Sequence, residues 1–204
     1  QVQKNAVEYK NWKEMIKTPV FYVMLLLFTC GAFSGMMVIS QASAVATNMV
    51  GMTAIMASTA VSVLAVFNAG GRILAGFLSD RIGRINTLSI ASVAGIAGLL
   101  LLYITGQGGF ATFYIGIACI GISFGSFMGV YPGFTADQFG GKNNSVNYGI
   151  MFIGLAGAGY FGPSAMRKIY MTDGAYTRAF LVAVAFAAAG FVLTFIYRFF
   201  AKKK

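Results

Sequence analysis

The sequence predicts an all-α integral membrane protein built as a bundle of six transmembrane helices. Its composition is 58% hydrophobic and 10% charged and its mean hydropathy is +0.76, which is too apolar for a soluble chain of 204 residues. The apolar runs exceed about 20 residues, the length that a helix needs to cross a bilayer. They show no alternation with a period of two, which disfavours the strands of a membrane barrel.

A polar segment, residues 1–18, precedes these runs. Trp12, Met15 and Ile16 lie among its lysines at near-helical spacing, which predicts a short interfacial helix on the cytoplasmic membrane surface. A disordered arm is the alternative. Pro19 is suited to the first turn of the helix that follows.

Six apolar runs follow, and each is long enough to span a bilayer with some tilt. Turn-forming glycine, asparagine and threonine residues separate several of them. The predicted spans cover about residues 20–47, 53–79, 85–105, 110–136, 146–169 and 176–199.

Lysine and arginine are distributed unevenly between the two predicted ends of the bundle. Only Arg167, Lys168 and Arg178 fall on the side opposite the arm, where they would concentrate an anion at the outer mouth. The remaining loop and terminal basic residues predict that both ends of the chain, including a basic tail at 201–204, are cytoplasmic. We therefore expect a multi-pass protein of the cell (plasma or inner) membrane.

Several classes of function lack the residues that they require. Cys30 and Cys119 lie in apolar runs and the chain has no histidine, so we expect neither a metal site nor a cofactor. The carboxylates map to loops and span ends, and no catalytic pair or nucleophile–base arrangement can be assembled, so we do not expect an enzyme. The basic residues are spread through short loops rather than along one face, which argues against a nucleic-acid partner.

Glycine recurs every four residues in the fourth span and lines one helix face without side chains. The residues are Gly121, Gly125, Gly129 and Gly133. Such a face permits close helix packing, and it also permits the sliding that a moving helix needs. Pro132 and Pro163 are expected to kink or stop the fourth and fifth spans, which makes these two helices candidates for moving parts.

One arginine lies deep inside an apolar run. Arg72 precedes Asp80 by eight residues, which places it roughly 12 Å inside the helix end. A charge at that depth usually has a partner or a function, and a guanidinium matches a carboxylate bidentately. Asn68 lies one turn away on the same face and is a second candidate for binding a small carboxylate substrate. Snorkelling to the surface or pairing in a helix-end network remains the alternative for Arg72.

Three further polar residues inside or near the spans are candidates for the same substrate site. They are Gln41, Ser126 and Tyr148. For each of them a helix–helix hydrogen bond is the competing interpretation.

The second span ends in the segment 76–84, which reads GFLSDRIGR. This pattern resembles the signature loop of the major facilitator superfamily of secondary transporters, which joins paired helices on the cytoplasmic side. We expect a conformational role for its members, together with Pro132. They are Gly76, Asp80, Arg81, Gly83 and Arg84.

Asp80 has a specific partner available in this scheme. The fifth span starts on the same side, near residues 143–147, and its free amides attract a carboxylate. Such a contact would hold that side shut in one state. The alternative is that Asp80 only tempers the neighbouring arginines as a topology marker.

Three blocks together resemble the C-terminal half of the oxalate/formate antiporter family within that superfamily. They are Trp12-Lys13-Glu14-Met15 leading to Thr18-Pro19-x-Phe21-Tyr22, the Asn68 to Arg84 block, and Asn147-Tyr148-Gly149. The resemblance implies helices 7 to 12 of a twelve-helix fold that carries small carboxylates by alternating access, with Arg72 matching the family's arginine in helix 8. The first six helices would then come from the same polypeptide or from a partner chain.

One position departs from the family pattern. Oxalate-transporting members carry a lysine eight residues after the Asn of the Asn-Tyr-Gly motif, and Leu155 stands there in this chain. One cation suits a monoanion and two suit a dianion. We therefore expect a monocarboxylate such as lactate or formate; an oxalate or dicarboxylate exchanger and a non-transporting membrane subunit are the alternatives.

Overall fold

The computed structural model describes residues 9–201, and for Ala201 only the backbone. Six of its eight helices are long and apolar enough to cross a membrane, and residues 9–201 contain no β-strand. The predicted six-span all-α architecture is therefore confirmed. The helices are α1 (Trp12–Met15), α2 (Pro19–Ile39), α3 (Ala42–Asn48), α4 (Ala54–Ile82), α5 (Arg84–Ile104), α6 (Phe110–Phe139), α7 (Asn144–Asp173) and α8 (Thr177–Ala201).

The first predicted span was wrong at its C-terminal end. The sequence predicted one helix over 20–47, whereas α2 ends at Ile39 and α3 begins at Ala42. The Ser40 hydroxyl donates to the Met37 carbonyl at 3.2 Å and so competes with the backbone of the last turn. The 21 residues of α2 already measure about 31 Å, the thickness of the hydrocarbon core, so the chain leaves the helix where water is available again.

The long helices alternate in direction and pack as one bundle. α6 packs against α4 and α5, while α2 packs against α7 and α8. We call the end of the bundle that carries α1 the arm end; α2, α5 and α7 start there, and α4, α6 and α8 finish there. Tyr131 of α6 is fully buried in the core, stacked on Phe28 with ring centroids 4.2 Å apart, and its hydroxyl donates to the Met24 carbonyl at 2.8 Å.

The glycine face of α6 allows it to approach α4 at backbone contact. A Cβ on Gly129 would lie 2.5 Å from the Arg72 carbonyl oxygen, and a Cβ on Gly125 would overlap the carbonyl oxygen of Asn68. The close packing predicted for this face is therefore confirmed, and it lies directly behind the two candidate residues of α4.

The two prolines do not end their helices. α6 continues through Pro132 and α7 through Pro163. The Pro132 carbonyl accepts a hydrogen bond from the Asn144 side chain at 3.1 Å, which ties α6 to the first turn of α7.

The arm is described from residue 9 onward, and the part of the predicted interfacial helix at 1–8 lies outside the described residues, as do residues 202–204 of the predicted tail. The helix that is present, α1, has four residues and begins with a capping box formed by Asn11 and Glu14. Met15 is fully buried and Trp12 is half exposed. This end of the arm is packed against the bundle.

Candidate functional site

Arg72 and Asn68 of α4 line an open recess. The Arg72 Nε donates to the Asn68 Oδ1 at 3.2 Å, as expected for residues one helical turn apart. The recess has a volume of about 290 Å³ and is lined by these two residues with Ala65 and Ala69. The small alanine side chains leave the space in front of the guanidinium open.

Arg72 lies on an exposed face of α4, far from the helix end. Arg72 precedes the last residue of α4, Ile82, by ten positions, which is roughly 15 Å along the helix axis. Gly129 of α6 packs against its backbone, so α6 occupies the opposite side of the helix. Within residues 9–201, no carboxylate forms an ion pair with Arg72. The site therefore offers a positive charge without a fixed counter-ion.

Tyr148 of α7 is not among the residues that line this recess. Its ring lies edge-on to Phe152, with centroids 4.8 Å apart. The recess therefore contains two of the five predicted substrate residues, Asn68 and Arg72 of α4.

Gln41 and Ser126, two more of the predicted substrate residues, also lie outside the recess. Gln41 lies in the break between α2 and α3, at the end of the bundle opposite the arm end. Ser126 is buried, and its hydroxyl donates to the Ile122 carbonyl of its own helix at 2.7 Å. Its hydrogen bond is satisfied locally, the ordinary behaviour of serine in an apolar helix.

A cluster of charges at the arm end is centred on Arg84. Its Nη1 is 2.6 Å from an Asp80 oxygen and its Nε is 2.9 Å from an Asp137 oxygen. Nη1 also donates to the Ser79 hydroxyl at 2.5 Å. The cluster joins the end of α4, the start of α5 and the end of α6.

Three other predicted members of this loop lie outside the ion pairs. Gly83 has φ +89°, a conformation that favours glycine, and it allows the sharp turn from α4 into α5. The Arg81 guanidinium lies over the Phe77 ring at 4.2 Å from the centroid. Nothing lies within 4 Å of a Cβ built on Gly76.

Asp80 does not take the partner that the sequence suggested. Its ion-pair partner among the described residues is Arg84, one turn further along the chain, rather than the first turn of α7. The start of α7 is held differently, because Asn147 and Asn143 donate to the Lys10 carbonyl at 3.0 and 3.3 Å. The arm therefore occupies the place where the aspartate was expected.

Two residues of these contacts were missed by the sequence analysis. Asp137 pairs with an arginine 53 positions earlier, a distance at which no helical spacing signals contact. Asn147 is fully buried, and its Oδ1 has no hydrogen-bond partner. The available signals were an acid near the predicted end of an apolar run and a repeated asparagine at 143, 144 and 147.

Comparisons with known proteins agree on one family. The Major Facilitator Superfamily model matches residues 2–163. The uncharacterized MFS-type transporter YhjX of Escherichia coli (strain K12) is 29% identical over 153 residues, covering 74% of this chain and 38% of that protein. The oxalate:formate antiporter of Oxalobacter formigenes is 29% identical over 188 residues, covering 90% of this chain and 44% of that protein. The chain thus spans less than half the length of these two relatives.

Solved structures share the fold at lower identity. A peptide transporter POT in complex with sulfate superposes with a TM-score of 0.80 at 16% identity, covering 94% of this chain and 40% of that chain. The fucose:proton symporter FucP of Escherichia coli gives 0.71 at 17% identity, covering 91% and 44%. At this identity the match concerns the fold alone.

Proposed function

Because the chain belongs to the major facilitator superfamily, a family of transporters rather than enzymes, we propose that the protein is a secondary carrier for small organic anions. It works by alternating access, with the six described spans forming one half of the carrier. Arg72 is the counter-charge of the transported anion, and Asn68 and Tyr148 contact the same ligand.

The main support for this proposal is the recess around Arg72. An arginine inside an apolar helix costs at least about 2.5 kcal/mol, and no described carboxylate offsets that cost. A bound carboxylate neutralises the charge and accepts two parallel hydrogen bonds from the planar guanidinium. Asn68 accepts a hydrogen bond from the Arg72 Nε and so orients the guanidinium. The two terminal nitrogens of Arg72 remain for the ligand.

The substrate is a monocarboxylate such as lactate or formate. Leu155, which stands where the resembling oxalate transporters have a lysine, is partly buried against apolar residues of the core. One cation then faces the ligand from these six helices, which suits one negative charge. The relative named as an oxalate:formate antiporter favours a second candidate, exchange of the dianion oxalate.

The remaining half of the carrier covers the exposed face of the recess. Large apolar side chains of α4 next to Arg72 are exposed, among them Ile73 at 75% and Leu74 at 63%. The first six helices, from the same polypeptide or from a partner chain, pack on these side chains and close the cavity. The arm end is cytoplasmic, because most loop arginines and lysines gather there.

The Arg84 cluster acts as the conformational latch. Its contacts join three helices at one end of the bundle, so they form in one state and break when those helices separate. Gly83 and Gly76 provide the backbone freedom and open space that this movement needs, while Pro132 removes one hydrogen bond from α6.

Counterflow into proteoliposomes tests this function. The complete protein is reconstituted, and uptake of labelled lactate, formate and oxalate is measured beside Arg72→Gln and the control Lys142→Gln, a change in the exposed loop before α7. We expect saturable lactate or formate exchange that disappears in Arg72→Gln and persists in the control.

Each other outcome rejects a different part of the proposal. Normal exchange by Arg72→Gln rejects the site assignment. Oxalate exchanged with a much lower KM than lactate or formate replaces the monocarboxylate with the dicarboxylate. If the folded wild-type protein exchanges none of these anions, it is not a carrier of this class, and the non-transporting membrane subunit is the better reading.

A further inference from the structure

A second recess shares no lining residue with the Arg72 recess. It is a groove of about 470 Å³ between α5 and α8. Its walls are almost entirely apolar and include Ile90 and Val93 of α5 and Phe195 of α8, each about half exposed. In a membrane helix bundle, a groove of this kind is filled by hydrocarbon.

One end of the groove carries a positive charge. The Arg198 Nη2 donates to the Ser89 hydroxyl and to the Asn86 Oδ1, each at 2.9 Å. Ser89 is itself part of the groove wall. The guanidinium also lies over the Phe195 ring, 5.0 Å from its centroid, so three contacts fix it at the mouth of the groove.

The charged end and the apolar groove lie at the membrane depths of a lipid headgroup and its acyl chain. Arg198 lies three residues before the end of α8, and Asn86 lies two residues after the start of α5. These positions are at the level of lipid headgroups in a helix that spans the membrane. From Ser89 to Ala97 the groove runs along eight residues, roughly 12 Å and close to the thickness of one leaflet.

The charge of Arg198 is not compensated by the described part of the protein. No carboxylate in residues 9–201 forms an ion pair with it. A guanidinium has five N–H donors, more than its two hydrogen bonds to Asn86 and Ser89 use. The phosphodiester of a phospholipid accepts several such bonds, and a phospholipid without a cationic headgroup also keeps a net negative charge that neutralises Arg198.

We propose that the α5–α8 groove is a binding site for one anionic phospholipid, with the phosphate on Arg198 and Asn86 and an acyl chain along the groove. Another apolar recess, about 440 Å³ between α2 and α7, also has no charged residue in its lining. The α5–α8 groove differs because Arg198 donates a hydrogen bond to Ser89 of its wall, and the proposal is confined to this groove.

Native mass spectrometry of the complete detergent-purified protein tests this site. Phosphatidylglycerol and phosphatidylcholine with the same acyl chains are titrated separately, and the dissociation constant of the first retained lipid is measured. We expect the anionic lipid to bind roughly tenfold more tightly than the zwitterionic lipid, the size of one charge-assisted contact. Equal affinities for the two lipids would overturn the proposal.

Variants separate the headgroup from the acyl chain. Arg198→Gln is expected to weaken phosphatidylglycerol about tenfold and to weaken phosphatidylcholine less, because both lipids carry the phosphodiester and only phosphatidylglycerol has a net negative charge, whereas Arg198→Lys retains the preference. Ala94→Phe is expected to fill the groove and weaken the binding of both lipids. If Ala94→Phe does not fold, Ala97→Leu is the smaller substitution that narrows the same groove. Lys142→Gln, which removes an exposed charge far from the groove, leaves both affinities unchanged.

Two further results would also reject the lipid. Unchanged phosphatidylglycerol binding by Arg198→Gln would show that the anion contact is elsewhere. A protein dimer that Ala94→Phe dissociates, without any lipid adduct in the wild type, would identify a second copy of the chain as the occupant.

Discussion

The Arg72 guanidinium is exposed and is oriented by Asn68, as expected for a residue that binds a ligand. Its Nε is held by Asn68 on the same helix, so the planar fork is fixed before a ligand arrives. A preorganised donor loses less conformational entropy on binding than a flexible one. The identity of this residue as arginine, and not only its charge, therefore matters for affinity.

The Arg72→Lys substitution separates charge from geometry. Lysine keeps the positive charge but loses the bidentate fork and the bond to Asn68. A charge-assisted hydrogen bond contributes roughly 1.5–3 kcal/mol, so we expect KM for the exchanged anion to rise about tenfold to hundredfold. The control is Arg178→Lys, whose guanidinium pairs with Asp173 at the other end of the bundle. Equal kinetics for wild type and Arg72→Lys would mean that only charge is required.

The two carboxylates on Arg84 are expected to act on the conformational equilibrium. Asp80 and Asp137 are about 60% exposed, so each ion pair is worth only about 0.2–1 kcal/mol. Either Asp→Asn change should shift the ratio of inward-open to outward-open protein by up to about fivefold, with little change in substrate affinity. Distances between spin labels at the two bundle ends report this ratio.

Asp173→Asn is the matched control for the latch, since it removes an ion pair at the opposite end of the bundle. A latch role is excluded if Asp80→Asn and Asp137→Asn leave the ratio as the control does. In that case the cluster would only stabilise the turn from α4 into α5.

At the scale of elements, the contact between α4 and α6 supports the site. Gly125 and Gly129 let α6 pack on the backbone of Asn68 and Arg72. Because this face has no side chains to rearrange, the position of α4 depends on glycine at these points. The four-residue glycine spacing correctly predicted close packing on this face, since a helix face is fixed by the period alone, but it did not identify α4 as the partner.

Substitution of Gly125 by alanine tests this packing. The new methyl group would overlap the Asn68 carbonyl oxygen, and overpacking of this kind costs about 1–3 kcal/mol. We expect a lower midpoint of thermal unfolding in detergent. Gly157→Ala is the control, because nothing lies within 4 Å of its Cβ position. Similar midpoints for the two variants would show that α4 and α6 can move apart without loss of stability.

Other elements show where sequence reasoning ends. The break at Ser40 was missed because a single hydroxyl and a glutamine interrupt an otherwise apolar run, and no proline or glycine marks the end. Pro132 and Pro163 were expected to kink or stop their helices, and both helices continue through the proline. Apolar runs in the sequence therefore locate the long helices, but they do not give the residue at which each helix ends.

At the scale of the whole molecule, the described bundle forms one side of a cavity in the proposed carrier. Arg72 could be singled out as a candidate because a charge inside an apolar run is visible in the sequence. The pairing of Arg84 with Asp137 was not, because it depends on how α5 and α6 pack. The Arg198 groove was equally hidden, since its charge and apolar walls come from two helices far apart in sequence.

The central claim is that the anion occupies the recess beside Arg72, and protection of a cysteine there tests it most directly. Ala69→Cys, in the complete protein with Cys30 and Cys119 replaced by serine, places a thiol in the recess wall. Its rate of reaction with a small maleimide is measured with and without saturating lactate or formate, beside Lys142→Cys in the exposed loop before α7. We expect the anion to slow labelling at position 69 and not at 142, and Arg72→Gln to abolish this protection. Labelling at position 69 that no transported anion slows would contradict the placement of the substrate at Arg72.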